Sequence, residues 1–163
     1  MYTVCIYGFP NVGKSTLLNK LTGTKAETAA YAFTTKSINS GHLKIKKKEI
    51  QFLDVPGTLA RKNKMNNIEL QAELVLKEIA DLIIYCFDIS GFCGYSVEFQ
   101  EQLLQNINKK KKILIYVCKK DLPETKEKLK DFSYRHYTMK ELKEEIYKLA
   151  PNIEDESSEK DEN

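Results

Sequence analysis

Apolar strand-like runs alternating with amphipathic stretches place this chain in the α/β class: a mainly parallel sheet with one antiparallel edge strand and helices on both faces. Three observations carry that expectation. Leu82 to Asp88 and Lys112 to Cys118 are nearly continuous apolar runs, as strands covered on both sides require. Val97 to Asn108, between them, has the helical spacing of a crossover joining parallel neighbours. Ile38 to Lys46 and Glu49 to Val55, joined by a short lysine turn, read as a hairpin set into that parallel arrangement.

The remaining elements follow in order. Tyr2 to Tyr7 is a first strand, followed by a loop to Gly13 and a helix from about Lys14 to Leu21. Thr22 to Lys36 is polar and without periodicity, so it reads as loop. Ile68 to Ala80 carries apolar residues over a broad face and reads as a helix. Thr138-Met139-Lys140-Glu141 is a capping box that opens a helix from Met139 to Ala150, and Pro151 stops it. Residues 1–150 therefore read as one domain, and 151–163 as a disordered acidic tail with too few apolar residues to pack.

Composition narrows the classes further. Apolar residues make up 42% and charged residues 30% of the chain, a soluble globular balance. No apolar run reaches the ~20 residues of a membrane span, and no basic segment precedes an apolar stretch near residue 1, which argues against secretion. The four cysteines, Cys5, Cys86, Cys93 and Cys118, form no C-x-x-C pair and no zinc spacing. The expectation is a reduced cytoplasmic protein without a membrane partner. The net charge of +3 conceals an asymmetry: residues 151–163 hold six acids and one lysine, leaving residues 1–150 at about +8 by difference. Such a balance favours RNA or ribosomal partners through long-range attraction. The clusters Lys46 to Lys48 and Lys109 to Lys112 sit where strands begin, and runs of that kind are usually solvated turns.

The sharpest chemical signal is Gly8-Phe9-Pro10-Asn11-Val12-Gly13-Lys14-Ser15, a G-x-x-x-x-G-K-[ST] match between an expected strand and an expected helix. That is the setting of a P-loop, which makes the domain a P-loop NTPase. Backbone N–H groups and the helix N-terminus would surround phosphates, Lys14 would reach the β- and γ-phosphates, and Ser15 would ligate Mg²⁺. Asp54-Val55-Pro56-Gly57 ends a strand, where Asp54 can hold Mg²⁺ through water and the Gly57 N–H can meet the γ-phosphate; an ordinary Pro-Gly turn is the plainer reading. Lys119-Lys120-Asp121 follows a late apolar strand and has the form K-x-D. An aspartate there can accept from N1–H and the exocyclic amine of guanine, a donor pair that adenine lacks. Asp121 is therefore the residue that argues for GTP over ATP.

With these motifs in place, the sequence resembles the Obg-type translation-factor GTPases. The P-loop is followed by Thr16-Leu17-Leu18-Asn19-Lys20-Leu21, and Tyr31-Ala32-Phe33-Thr34-Thr35 is also similar to that group. Ile68-Glu69-Leu70-Gln71-Ala72 and Cys93-Gly94-Tyr95-Ser96 resemble stretches of the nucleolar GTP-binding protein 1 family, and the likeness covers nearly all of residues 1–150. It implies a G domain with Ala26 to Lys36 as switch I, Thr35 as its Mg²⁺-binding threonine, and Pro56 to Asn67 as switch II. From the residues alone, Thr34-Thr35 reads equally well as a cap or turn. The implied partners are GTP or GDP and the ribosomal large subunit or its RNA, with no DNA. The implied nucleotide-binding set is Asn11, Val12, Gly13, Lys14, Ser15, Thr16, Asp54, Gly57, Lys119, Asp121 and Ser133. Ser15, Thr35 and Asp54 are its metal ligands, and Lys14, Thr35 and Gly57 its catalytic groups.

Several positions depart from the family pattern. Cys118 stands where relatives have an asparagine before the lysine, and a thiol is a weak donor and acceptor, so one hydrogen bond worth roughly 0.5 to 1.5 kcal/mol is expected to be missing. The last guanine-contacting segment, Ser-Ala in relatives, corresponds to Ser133-Tyr134. Thr58 and Leu59 follow the switch II glycine, so no glutamine orients the attacking water. Catalysis would then rest on Lys14, Mg²⁺, backbone donors, and either K⁺, which the resemblance implies at Asn11 although that amide reads equally well as a hydrogen bond within the loop, or a group supplied by a ribosomal partner. Three classes stay open at this point: a slow GTPase switch in ribosome assembly, a degenerate guanine-nucleotide docking module without turnover, and an ATP-dependent P-loop enzyme that Asp121 disfavours.

Overall fold

The computed structural model describes residues 1–23, 27–31, 34, 37–55, 67–107 and 109–154. Among the described residues, six strands form one sheet in the order β2-β3-β4-β1-β5-β6. They are β1 (Tyr2–Tyr7), β2 (Glu27–Ala29), β3 (Ile38–Ile45), β4 (Lys48–Asp54), β5 (Leu82–Phe87) and β6 (Lys112–Val117). β1 runs parallel to β4 and β5, with Cys5 opposite both Leu53 and Ile83, and β6 extends the parallel set beyond β5. β3 is antiparallel to both of its neighbours. The expected mainly parallel sheet with an antiparallel edge is present, and the hairpin turns through Lys46, whose φ of 53° is left-handed.

The short β2 falls inside the stretch expected to be loop. Its three residues pair Glu27 with Ser40 and Ala29 with Ile38. Nothing in Glu-Thr-Ala has strand periodicity; the open edge of β3 supplies the hydrogen bonds that select the extended form.

The helices are α1 (Lys14–Thr22), α2 (Asn67–Leu74), α3 (Val97–Asn106), α4 (Pro123–Lys128) and α5 (Met139–Leu149). α1 buries Leu17, Leu18 and Leu21, and α5 buries Leu142 and Ile146. Full burial of each such side chain is worth roughly 1.5 to 3 kcal/mol. β5 is buried along its whole length, and Val4 to Tyr7 of β1 are buried with it, so the centre of the sheet is the centre of the core. The capping box at α5 is formed as expected: Thr138 accepts from the Glu141 N–H and Glu141 accepts from the Thr138 N–H. These bonds hold the exposed Glu141 carboxyl below its ordinary value.

The helix expected over Ile68 to Ala80 changes character partway. After α2 the chain continues as a π turn over Val75–Ile79, closed by Ala80 N–H donating to Val75 O at 3.2 Å. Val75 and Leu76 are buried there and belong to the hydrophobic core. Neither α4 nor the single 3₁₀ turn after it, Leu129–Asp131, has a periodic apolar face, and both went unmarked in the sequence. Residues 151–154 lie against the β3–β4 turn, where Ile153 N–H donates to Lys47 O at 2.8 Å and Glu154 pairs with Lys47 at 3.3 Å. The rest of the acidic segment, 155–163, lies outside the described residues, as do Asn108, Thr35, Gly57 and Thr58.

Candidate functional site

The sheet brings three loops to one edge because β1, β4, β5 and β6 all end there. Ile6 stands opposite Asp54, so the chain leaving β1 enters the Gly8 to Ser15 loop level with the carboxyl end of β4. Phe87 stands opposite Val117, which places Asp88 and Cys118 side by side just beyond. Cys118 N–H donates to Phe87 O at 2.8 Å and continues that pairing into the Lys119-Lys120-Asp121 loop. Carboxyl ends of adjacent parallel strands are where α/β sheets place ligands.

The P-loop has the backbone its sequence demands. Gly13 has φ 117° and caps α1, and a Cβ there would lie 3.2 Å from Cys118 Cβ and 3.3 Å from its Sγ. Gly8 has φ 155°, and a Cβ there would lie 2.8 Å from Cys86 O. Both glycines are thus required by backbone angle and by close approach. Asn11 is left-handed at φ 66°, a conformation asparagine tolerates better than most residues, and its side chain is exposed. Val12 is fully buried. Phe9 stacks on Tyr95 with ring centroids 4.6 Å apart, so the Cys93-Gly94-Tyr95-Ser96 stretch supports the P-loop from behind.

The polar residues expected in the site are drawn together. Ser15 Oγ donates to Asp54 Oδ2 at 2.7 Å, joining the two expected Mg²⁺ ligands that lie among the described residues. Lys14 is buried, and its Nζ donates to Phe9 O at 3.0 Å across the loop. Thr16, Lys119 and Asp121 line one cavity of about 130 Å³, together with Gly13, Leu17, Lys20, Tyr116 and Cys118. Ser133 is exposed on the segment after α4 and does not line this cavity. Thr35 and Gly57, expected as switch residues, lie outside the described residues.

Two residues of the site, Asp88 and Gln100, carried no recognised motif, and both act beside Lys119 of the K-x-D loop. Lys119 is left-handed at φ 56°, and its Nζ donates both to Asn11 O at 2.8 Å and to Asp88 Oδ2 at 2.7 Å. Burial alone would raise the Asp88 carboxyl; the hydrogen bonds from Lys119 and Ser90 outweigh it and hold the group below its ordinary value. Gln100 of α3 is fully buried and hydrogen-bonds the Asp88 backbone on both sides. For Asp88 and Gln100 the sequence signal was no more than an aspartate closing an apolar strand. The four cysteines are free and buried. Burial raises the Cys86 thiol well above its ordinary value and pushes Cys5 up to about 12, which makes both packing groups and not nucleophiles.

Set against known proteins, residues 3–120 match a family described as 50S ribosome-binding GTPase. The chain belongs to that family. It is 50% identical over 123 residues to an uncharacterized protein of Methanocaldococcus jannaschii, which covers 74% of this chain and 34% of that protein. It is 39% identical over 124 residues to Nucleolar GTP-binding protein 1 of Candida glabrata, covering 74% of this chain and 19% of the relative. Among solved structures it is similar to Era in complex with MgGDPNP and a segment of 16S ribosomal RNA. That likeness is 33% identity at a TM-score of 0.58, over 79% of this chain and 44% of Era. The chain thus spans about a third or less of the curated relatives it matches. The expected resemblance to nucleolar GTP-binding protein 1 is confirmed, and with it the GTPase fold.

The cytoplasmic placement expected from the sequence is corrected by the relatives of Candida glabrata, Saccharomyces cerevisiae and Drosophila melanogaster, each a nucleolar GTP-binding protein by name. The reason is physical: buried reduced thiols and the lack of an apolar run do not separate one reducing compartment from another. No helix of the described residues is long and apolar enough to cross a membrane.

Proposed function

We propose that this G domain binds GTP and GDP with Mg²⁺, hydrolyses GTP slowly, and acts as a switch in assembly of the large ribosomal subunit. The observation that carries the reading is the meeting of three loops at one sheet edge. There the Ser15–Asp54 pair at 2.7 Å and the cavity lined by Gly13, Thr16, Lys119 and Asp121 lie on the two sides of one helix start.

Mg²⁺ favours oxygen donors and takes few protein ligands, keeping waters and phosphate oxygens for the rest. A serine hydroxyl and a carboxylate already at hydrogen-bond distance fit that donor set. Ser15 and Asp54 would hold the ion, with Thr35 as the third ligand. When bound, Mg²⁺ neutralises charge on the β- and γ-phosphates. Lys14 lies buried in the P-loop, where its ammonium would turn from Phe9 O to the phosphates, and the N–H groups from Asn11 to Thr16 would complete the cradle. Asp121 would accept from guanine N1–H and the exocyclic amine, with Lys119 beside the base and Ser133 closing the base site. Gly57 N–H would meet the γ-phosphate. Asn11 is an exposed residue of the P-loop, and its amide oxygen would hold K⁺ near the β–γ bridge, as the Obg-type resemblance implies. The ribosomal partner is supported by the names of the relatives and by the positive balance of residues 1–150.

A second reading, a guanine-nucleotide docking module without turnover, is favoured by one observation. Cys118 packs its thiol against Gly13 where relatives place an amide, so the guanine loop has one polar group fewer. Titration of GTP, GDP and ATP in Mg²⁺, followed by multiple-turnover phosphate release in K⁺ and in Na⁺ at equal ionic strength, separates the cases. The switch requires GTP and GDP to bind, ATP not to, and phosphate to be released over repeated cycles. Equal affinity for ATP sinks the guanine assignment, and tight GTP binding with no turnover establishes the docking module. Potassium stimulation that is lost in Asn11→Gly, which keeps the left-handed backbone, assigns the ion to that side chain. Stimulation that survives removes it.

A further inference from the structure

β5 lies between β1, which feeds the P-loop, and β6, which feeds the guanine loop. The residue that closes β5 therefore stands level with both loops and between them. That residue is Asp88, 1% exposed, and a carboxylate buried to that extent is destabilising unless it is paired.

Its surroundings leave one oxygen for one donor. Gln100 Nε2 donates to Asp88 O and Gln100 Oε1 accepts from Asp88 N, each at 2.8 Å, so the backbone is locked to α3. Ser90 N–H donates to Asp88 Oδ1 at 2.9 Å, and the Ser90 hydroxyl hydrogen-bonds the same oxygen. Oδ2 faces Lys119 Nζ at 2.7 Å. The same ammonium donates to Asn11 O at 2.8 Å, in the P-loop. A single nitrogen thus links β5, the guanine loop and the P-loop. The two residues it joins across the loops, Asn11 and Lys119, are both left-handed, which costs little at the asparagine and more at the lysine.

We propose that Asp88 is a positioning residue for nucleotide retention: it fixes the Lys119 ammonium so that the guanine loop stays tied to the P-loop at Asn11. The inference rests on the guanine-nucleotide reading of the site. It also explains how this loop dispenses with the asparagine that Cys118 replaces. Cys118 is buried against Gly13 and offers no strong hydrogen bond, so the link between the loops falls to Lys119, and Lys119 is held from behind by a charge the solvent does not reach. A freed Lys119 would let the two loops separate, and nucleotide would leave faster.

The test is a double-mutant cycle read by dissociation of ribose-labelled fluorescent GDP, chased with unlabelled GDP in Mg²⁺, on the full chain. Asp88→Asn should speed dissociation about tenfold to hundredfold, the effect of losing a hydrogen bond to a charged group. Added to Lys119→Met, the same change should alter the rate less than about twofold, because its partner is already gone. Asp88→Glu, which keeps the charge, should recover part of the slow rate in the presence of Lys119. If Asp88→Asn does not fold, Asp88→Glu takes its place in the cycle, with a smaller acceleration expected and the same dependence on Lys119. An unchanged rate, or the same acceleration with and without Lys119, overturns the proposal and leaves Asp88 as a packing group. Unmodified protein that retains no GDP overturns the reading of the site itself, whereas slow release from unmodified protein and from Asp88→Asn alike overturns only this inference.

Discussion

The two sides of the site are built differently. The P-loop side is made by contiguous residues, and most of what it offers a ligand is backbone: two glycines in conformations that side chains rarely adopt, one left-handed asparagine, and the start of α1. The guanine side is made by side chains from two strands' ends, set against a helix. Lys119 and Asp121 come from beyond β6, Asp88 closes β5, and the cavity's opposite wall is α1. A site of backbone groups is specific for phosphate and indifferent to the base. A site of a few side chains on separate strands reads the base, and its accuracy depends on how firmly those strands are tied.

That contrast is broken most sharply at Asp121. Asp121→Ala should weaken GTP and GDP about tenfold to hundredfold, the roughly 1.5 to 3 kcal/mol of a hydrogen bond to a charged group, while leaving thermal stability nearly unchanged because the residue is exposed. Calorimetric titration alongside a thermal melt reads both. Undiminished guanine affinity would mean that the base is recognised elsewhere.

A smaller effect is expected from Cys118→Asn, which restores an amide beside Gly13. Guanine nucleotides should bind up to about tenfold tighter, in keeping with one hydrogen bond of roughly 0.5 to 1.5 kcal/mol. The site is confined, since Cys118 is 5% exposed and its sulfur lies against Gly13. Unchanged or lower affinity in a titration would show that the thiol is the better fit for this loop and that Lys119 suffices as the link.

The smallest effects lie away from both sides. Truncation after Glu154 should leave nucleotide affinity and the melting midpoint as they are, because the segment removed is acidic and has no apolar anchor. Truncation after Ala150 also removes the Ile153–Lys47 backbone bond and the exposed Glu154–Lys47 pair, and should cost no more than about 1 to 1.5 kcal/mol. Nucleotide affinity that falls with either truncation would place the tail in the function of the site.

The sequence by itself determined the α/β class, the P-loop and its flanking elements, the hairpin, the helix capped at Thr138, and the family. Each of these is written in neighbouring residues: glycine spacing, apolar runs of strand length, a capping box. Local chemistry decides them, so they can be read without knowing what lies across the sheet. Tertiary structure alone decided β2, which has no strand signal of its own and is extended because β3 offers an open edge. It also decided the π turn after α2, in which Val75 and Leu76 are buried, and the docking of residues 151–154 on the hairpin. Above all it decided the Asp88–Lys119–Asn11 link, whose members are far apart in sequence and become neighbours only because β5 is threaded between β1 and β6. A lone aspartate at the end of an apolar strand carries no period and no motif; its meaning lies in the partners that strand order gives it.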